Sequence, residues 1–203
     1  SFQLLYDFLS RYELGWVPGY DFLYSNVGMG LLGHLIELQK GQTYEELLKE
    51  NITVPLGMHD TAITLNEELQ DRFATGHRGA VTVSEWNIVT LAGAGGIRST
   101  TADMVKYIKA NLGLMETDLR EAMDLSYKPL VTSVERKQPH AMAWIYADGN
   151  QDILWHNGGT GGFRTFAGFN KKTGLGVVLL TNSNYGADDI GFHLLNPKSP
   201  LDH

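Results

Sequence analysis

The chain has no cysteine, which excludes disulfides and thiolate metal sites without fixing a compartment. It has no run of 18 apolar residues, so nothing in it reads as a membrane-spanning helix. Positive charge is scarce: 16 Lys and Arg against 23 Asp and Glu leave a net charge of −7. No basic stripe carries interleaved aromatics, so no nucleic-acid partner is expected, and anionic lipid surfaces are disfavoured on the same ground. There is no Gly-x-Ser-x-Gly elbow, and an α/β-hydrolase triad is unsupported. Six histidines (His34, His59, His77, His140, His193 and His203) show no pairing at metal-ligand spacing, so neither a metal nor a cofactor is expected.

What is present is ordinary for a globular chain: 203 residues, 43% hydrophobic and 19% charged. A chain this long buries about 70% of the surface that its unfolded form exposes, enough for a core without covalent staples. Helical spacing of apolar residues marks Phe2–Tyr12, and a stronger amphipathic helix covers Val27–Lys40, with Asn26 expected as its N-cap and Gly41 just past its end. Thr43-Tyr44-Glu45-Glu46 matches a capping box. A turn-rich stretch over 60–98 precedes helices at Thr101–Leu112 and Thr117–Leu125. From Ala141 the texture changes to short apolar or alternating runs divided by Gly, Asp and Asn: Ala141–Tyr146, Ile153–His156, Phe163–Phe169 and Leu175–Thr181. A terminal helix is expected over Gly186–Leu195. Helices first and an antiparallel meander last make an α+β pattern, divided here into a mainly helical region, 1–135, and a strand region with its terminal helix, 136–203.

Two motifs could carry chemistry. Tyr24-Ser25-Asn26 places a phenol and an amide two residues apart, where both can point to one side of an extended or turning segment. Such a pair can relay a proton and orient a substrate carbonyl; the plainer reading is a core aromatic followed by a helix cap. The run His156-Asn157-Gly158-Gly159-Thr160-Gly161-Gly162-Phe163 places a histidine beside glycines, whose missing side chains let a ligand lie against a strand edge and reach its N–H groups. Its plainer reading is a Gly-rich hairpin with a surface histidine. Two other matches are set aside. Gly28-Met29-Gly30-Leu31-Leu32-Gly33 fits G-x-G-x-x-G but lacks the flanking strands of a dinucleotide site, so its glycines are read as allowing close helix packing. Lys172-Thr173-Gly174 falls in a polar turn between two strands.

Together the two motifs resemble those of the penicillin-binding-protein and serine β-lactamase superfamily, most closely its class C β-lactamase and esterase branch, where a histidine can replace the lysine of the Lys-Thr-Gly motif. The run Tyr24–Gly33, then Pro55-Leu56-Gly57-Met58 and Thr61, follows that branch in order. The resemblance implies an antiparallel sheet flanked by helices, packed on a helical domain, with the active site in the cleft between. It implies catalytic roles for Tyr24, Asn26 and His156, an oxyanion donor at the backbone N–H of Gly159, and substrate contacts from Asn157 and Gly158. It also implies a small acyl substrate (a β-lactam, a D-amino-acid peptide or an ester) and favours a periplasmic or secreted location. The departure is in the third motif: no serine in the chain has a lysine three residues later, so Ser-x-x-Lys is absent. The chain begins at Ser1, in the middle of the family pattern, and is expected to be the larger C-terminal part of such an enzyme, inactive by itself and with a sheet edge open to self-association. The alternative is a non-catalytic binding protein that kept the fold. Histidine in place of lysine removes a permanent positive charge, which is expected to weaken carboxylate recognition and favour small esters or D-amino-acid peptides over penicillins.

Overall fold

A computed structural model describes residues 1–132 and 139–201 of the chain. The expected boundary at 135/136 lies outside the described residues, as does His203. The helical part contains α1 (Phe2–Leu9), α2 (Asn26–Lys40), α3 (Tyr44–Leu48), α4 (Glu67–Asp71), α5 (Thr101–Asn111) and α6 (Arg120–Ser126). Strands β1 (Gly76–Arg78) and β2 (Val81–Val83) form a small antiparallel hairpin between α4 and α5. The main sheet is a six-stranded antiparallel meander, β3 (Val131–Thr132), β4 (Pro139–His140), β5 (Ile145–Ala147), β6 (Asn150–Thr160), β7 (Phe163–Asn170) and β8 (Leu175–Thr181), in spatial order of sequence. Helix α7 (Asp188–Leu195) closes the chain. The α+β reading therefore holds; the runs at Ile153–His156, Phe163–Phe169 and Leu175–Thr181 are strands, whereas of the expected Ala141–Tyr146 only the end is, in Ile145–Ala147.

Several local signals act as expected. Thr43 and Glu46 form a reciprocal capping box on α3, and Gly41 ends α2 at φ +67. The cap of α2 differs from expectation: Ser25 caps it, its hydroxyl accepting from Gly28 N at 2.9 Å, and Asn26 is the first helical residue. A serine hydroxyl reaches the orphan N–H three residues on without help, which releases the Asn26 amide from capping. His34 is structural: it is buried, stacks on Phe2, meets Tyr6 Oη at 2.5 Å and pairs with Glu37 at 3.2 Å, tying α1 to α2. The spaced glycines of α2 pack tightly: a Cβ on Gly30 would lie 2.7 Å from Leu91 Cβ, and one on Gly33 would lie 3.4 Å from Gly93 Cα. They admit a short 3-10 turn (Ala92–Ala94) rather than a nucleotide.

The sheet is covered on both faces, which is why its central strands read as nearly continuous apolar runs. Alternation sends Leu154 and Phe169 toward α5 and α6, where they join Trp144, Tyr127, Ile108 and Met123 in the larger core. It sends Ile153 and Phe166 to the other face, against Leu195 and Phe192 of α7. Lys172-Thr173-Gly174 is the turn between β7 and β8: Asn170 Oδ1 accepts from the N–H groups of Lys172 and Thr173, and Gly174 adopts φ +71. Among the described residues, β8 pairs on one side only, with β7.

Candidate active site

The histidine motif is part of a strand. His156 to Thr160 continue β6 and pair residue by residue with Ala167 to Phe163 of β7; only Gly161 and Gly162 turn the chain. The glycines that read as a loop are strand residues because their partners on β7 supply the packing that they lack. Successive β6 side chains alternate between faces, so His156 and Asn157 point in opposite directions. His156 faces the helical part, where its ring centroid lies 6.1 Å from that of Tyr24. Two motifs separated by more than 130 residues are thereby brought together.

The hydrogen bonds of the imidazole define its useful state. His156 Nδ1 lies 2.6 Å from the carbonyl oxygen of Asn157. A carbonyl only accepts, so Nδ1 is the donor in this contact, and Nε2 is not engaged by it. Tyr24 is 56% exposed. No hydrogen bond among the described residues occupies its hydroxyl or the Asn26 amide, and both are free to meet a ligand. Asn157 points to the α7 face, where its Nδ2 donates to Asp188 Oδ2 at 2.5 Å. Its side chain is thus committed to α7, and only its main chain is left for the cleft side.

The phase of the ladder decides which N–H groups the strand offers. Lys171 N donates to Asp152 O at 3.0 Å just below the first β6–β7 pair. Bonded and non-bonded pairs alternate along an antiparallel ladder, so the even-numbered residues of β6 direct their N–H and C=O groups to β7 and the odd-numbered ones away from it. The two-residue turn closing at Thr160 and Phe163 agrees with that phase. On the far side, β5 meets β6 only as far as Trp155, opposite Ile145. Beyond that point the main-chain groups of Asn157 and Gly159 face an edge that no described strand occupies. Gly158 has its N–H turned toward β7, and a Cβ there would lie 2.6 Å from Thr165 Oγ1.

The turn beyond the motif is locked to the β1–β2 hairpin. His77 N donates to Gly162 O at 3.1 Å and to Asn182 O at 3.0 Å, and Gly79 N donates to Asn184 Oδ1 at 3.0 Å. Gly162 sits at φ +75, and a Cβ on it would meet the backbone of Gly76 and His77 at 2.6 Å. Gly162→Ala is therefore expected to cost more stability than Gly174→Ala, whose φ is +71 but whose surroundings are open. The shared backbone strain amounts to roughly 1–3 kcal/mol, and the excess at Gly162 reports the hairpin contact. Paired thermal melts check this; equal losses would mean that the contact carries nothing.

One residue that sequence reasoning passed over is Arg164. It follows the turn on β7 directly opposite Gly159, and its guanidinium lies across that glycine: a Cβ on Gly159 would fall on Nη1 and 2.7 Å from Cζ. The cross-strand register was the only signal that could have found it, and register is not visible in the sequence. Among the described residues no group of His, Asp and Glu side chains could hold a metal, and no helix is long and apolar enough to cross a membrane.

Comparison with known proteins gives this geometry a family. The family model described as Beta-lactamase matches residues 2–194. The chain is 27% identical over 214 residues to a β-lactamase of Pseudomonas fluorescens, covering 88% of this chain and 59% of that protein. It is also 27% identical to the D-alanyl-D-alanine-carboxypeptidase/endopeptidase AmpH of Escherichia coli K12, over 88% of this chain and 50% of that one. Among solved structures, a class C β-lactamase superposes with TM-score 0.85 at 21% identity, covering all of this chain (100%) and 64% of its own. A β-lactamase/D-alanine carboxypeptidase from Pseudomonas syringae superposes with TM-score 0.84 at 19% identity, over 99% and 66%. The chain thus spans between half and three-fifths of the length of these two curated relatives, 50% and 59%. With the family model running almost end to end over a β-lactamase-like fold, this chain belongs to the β-lactamase family of hydrolases.

Proposed function

We propose that this chain is the C-terminal portion of a serine hydrolase of the β-lactamase and penicillin-binding-protein type, and that it is inactive without an upstream Ser-x-x-Lys segment. The observation that carries the reading is the meeting of Tyr24 with His156 beside the open edge of β6. In this mechanism the serine oxygen attacks an acyl carbon, and its proton passes to the lysine–tyrosine pair. The tetrahedral oxyanion accepts a hydrogen bond from Gly159 N–H, a donor whose loss typically costs roughly 10²–10³ in rate. Collapse breaks the bond to the leaving group, which takes a proton from the Tyr24 hydroxyl. Water then attacks the acyl-enzyme and releases the acid, so one hard step becomes two easier ones. Asn26 hydrogen-bonds the substrate's carbonyl side, while His156, with Nε2 as acceptor, keeps the Tyr24 proton in its network. Asn157 and Gly158 shape the strand edge on which the substrate lies. The substrate is a β-lactam, a D-amino-acid peptide or a small ester.

Two surfaces support a missing partner segment. Helix α2 exposes Leu32, Leu35 and Leu38 on its outer side, and β8 has no strand on its outer edge among the described residues. The same edge is where the isolated chain would self-associate. The test is acylation: a fluorescent penicillin and a p-nitrophenyl ester are offered to the full-length gene product and to the 203-residue chain. The full-length product is expected to be labelled on a serine upstream of Ser1 and to turn over at least one substrate, while the shorter chain does neither. A native protein that begins near Ser1, or a labelled short chain, would overturn the reading; the first result leaves a binding protein in its place.

A further inference from the structure

We propose that Phe22 is the positioning residue for Tyr24: stacked on His140, it holds the phenol beside His156. The inference rests on the hydrolase reading above. The chain arrives at Tyr24 through a stretch with little grip on the rest of the molecule. Every residue from 11 to 20 is exposed, Tyr12, Trp16 and Tyr20 among them. A turn shapes the end of that stretch, with Tyr20 N donating to Val17 O at 3.1 Å and Gly19 at φ +89. Phe22 is the first aromatic after α1 to go under cover. Its ring centroid lies 3.7 Å from that of the buried His140 on β4, with 14° between the planes. Two flat rings at that separation touch over their faces, so the stack fixes both the tilt of Phe22 and the height of its segment above the sheet.

Tyr24 is held between two fixed points. On its C-terminal side Ser25 caps α2, its hydroxyl accepting from Gly28 N. On its N-terminal side, two residues back, lies the Phe22 stack, and the N–H of Phe22 donates to Asp21 Oδ1 at 2.7 Å. Leu23 between them is exposed, as alternation predicts when Phe22 and Tyr24 both turn to the sheet. Phe22 meets His140 of β4 and Tyr24 meets His156 of β6, so three residues span from one strand to the other where β5 stops. The phenol makes no hydrogen bond among the described residues, so no contact at its tip holds it in place. Its position comes from its backbone, and the backbone takes its position from these two anchors. Proton transfer is unforgiving of such placement: a shift of about 1 Å in a reacting group can cost ~10²-fold in rate.

The test follows two rates in the full-length protein, turnover of p-nitrophenyl butyrate and acylation by a fluorescent penicillin. Phe22→Ala is expected to lower both by ~10–10²-fold and to leave KM for the ester within about twofold, because the lost placement matters only as the proton moves. Phe22→Tyr keeps the flat ring and should return both rates to within about threefold of the wild type. The deciding comparison is made in the Tyr24→Phe background. A residue that acts through the Tyr24 hydroxyl has nothing left to position once that oxygen is gone, so there Phe22→Ala should change the residual rates by less than about twofold. An equal fall in both backgrounds, or unchanged rates in Phe22→Ala alone, would overturn the positioning role while the hydrolase reading stands. If Phe22→Ala fails to fold, Phe22→Leu, which keeps apolar volume and loses the flat face, decides the matter by the same comparison. Wild-type protein inert to both the ester and the penicillin would overturn both readings.

Discussion

Tyr24→Phe in the full-length protein is expected to lower kcat/KM by ~10²–10⁴, the usual worth of a positioned general acid or base. The size of the effect follows from where the residue sits. Tyr24 is 56% exposed and its ring lies 6.1 Å from that of His156. Its hydroxyl makes no hydrogen bond among the described residues, so deleting that oxygen removes no structural contact. Stability should stay within ~0.5 kcal/mol, the range for surface substitutions away from special features. In the mechanism proposed above the proton moves only as the serine attacks and the leaving group departs, so the loss should fall on kcat more than on KM. Steady-state kinetics with a thermal melt check it. A fall of less than about threefold would remove Tyr24 from the chemistry and return it to the plainer reading of a surface-lying aromatic.

Phe169→Ala is expected to cost about 3–5 kcal/mol and leave too little stability for a chain of this size to tolerate a second such lesion. Phe169 is completely buried, at 0% exposure. Its ring meets the edge of Trp144 at 5.0 Å and of Tyr127 at 5.6 Å, both in T-shaped contact. Removing it deletes apolar burial, leaves a cavity and breaks two aromatic pairs, each worth about 0.5–1.5 kcal/mol beyond its area. The surroundings cannot collapse freely. Tyr127 is fixed by its hydroxyl donating to Asn111 Oδ1 at 2.7 Å, and Tyr146 is held by its hydroxyl donating to Tyr127 O. Urea unfolding of the full-length protein should show a lower midpoint with an unchanged slope. A loss below ~1.5 kcal/mol would mean that the cluster repacks like a volume-conserving swap and is not the rigid support of the sheet.

The two variants separate what the fold requires from what the site requires. Phe169 and His156 lie on the same face of the sheet, one deep under α5 and α6, the other at the strand's open end near Tyr24. The same period-2 alternation places both, and distance from the covering helices decides which is core and which is free to act.

Much of this was readable before any coordinates. The helix expected over 27–40, the capping box at Thr43, the turn at Lys172-Thr173-Gly174 and the antiparallel meander all follow from short-range rules, because apolar period, caps and turn residues act within a few positions. The short strands β3 and β4 and the β1–β2 hairpin were missed, since two or three residues hold too little periodicity to register. The cap of α2 was misplaced by one residue, from Ser25 to Asn26, because both types can cap and only the φ of the chain distinguishes them. The glycine run after His156 looked like a loop, yet its cross-strand partners Thr165 and Arg164 hold it as a strand.

By itself the sequence determined the α+β class, the succession of helices before the main strands, the family motifs at Tyr24 and His156, and the lack of any Ser-x-x-Lys. These are properties of residue type and local spacing. Only the tertiary structure decided that the phenol faces the imidazole, that Asn157 turns away to Asp188, that Gly159 offers its N–H to an open edge, and that Arg164 lies over it. Each of those depends on the register between strands and on which face a helix covers. Register is set by packing across the whole sheet, and no short stretch of the chain contains that information.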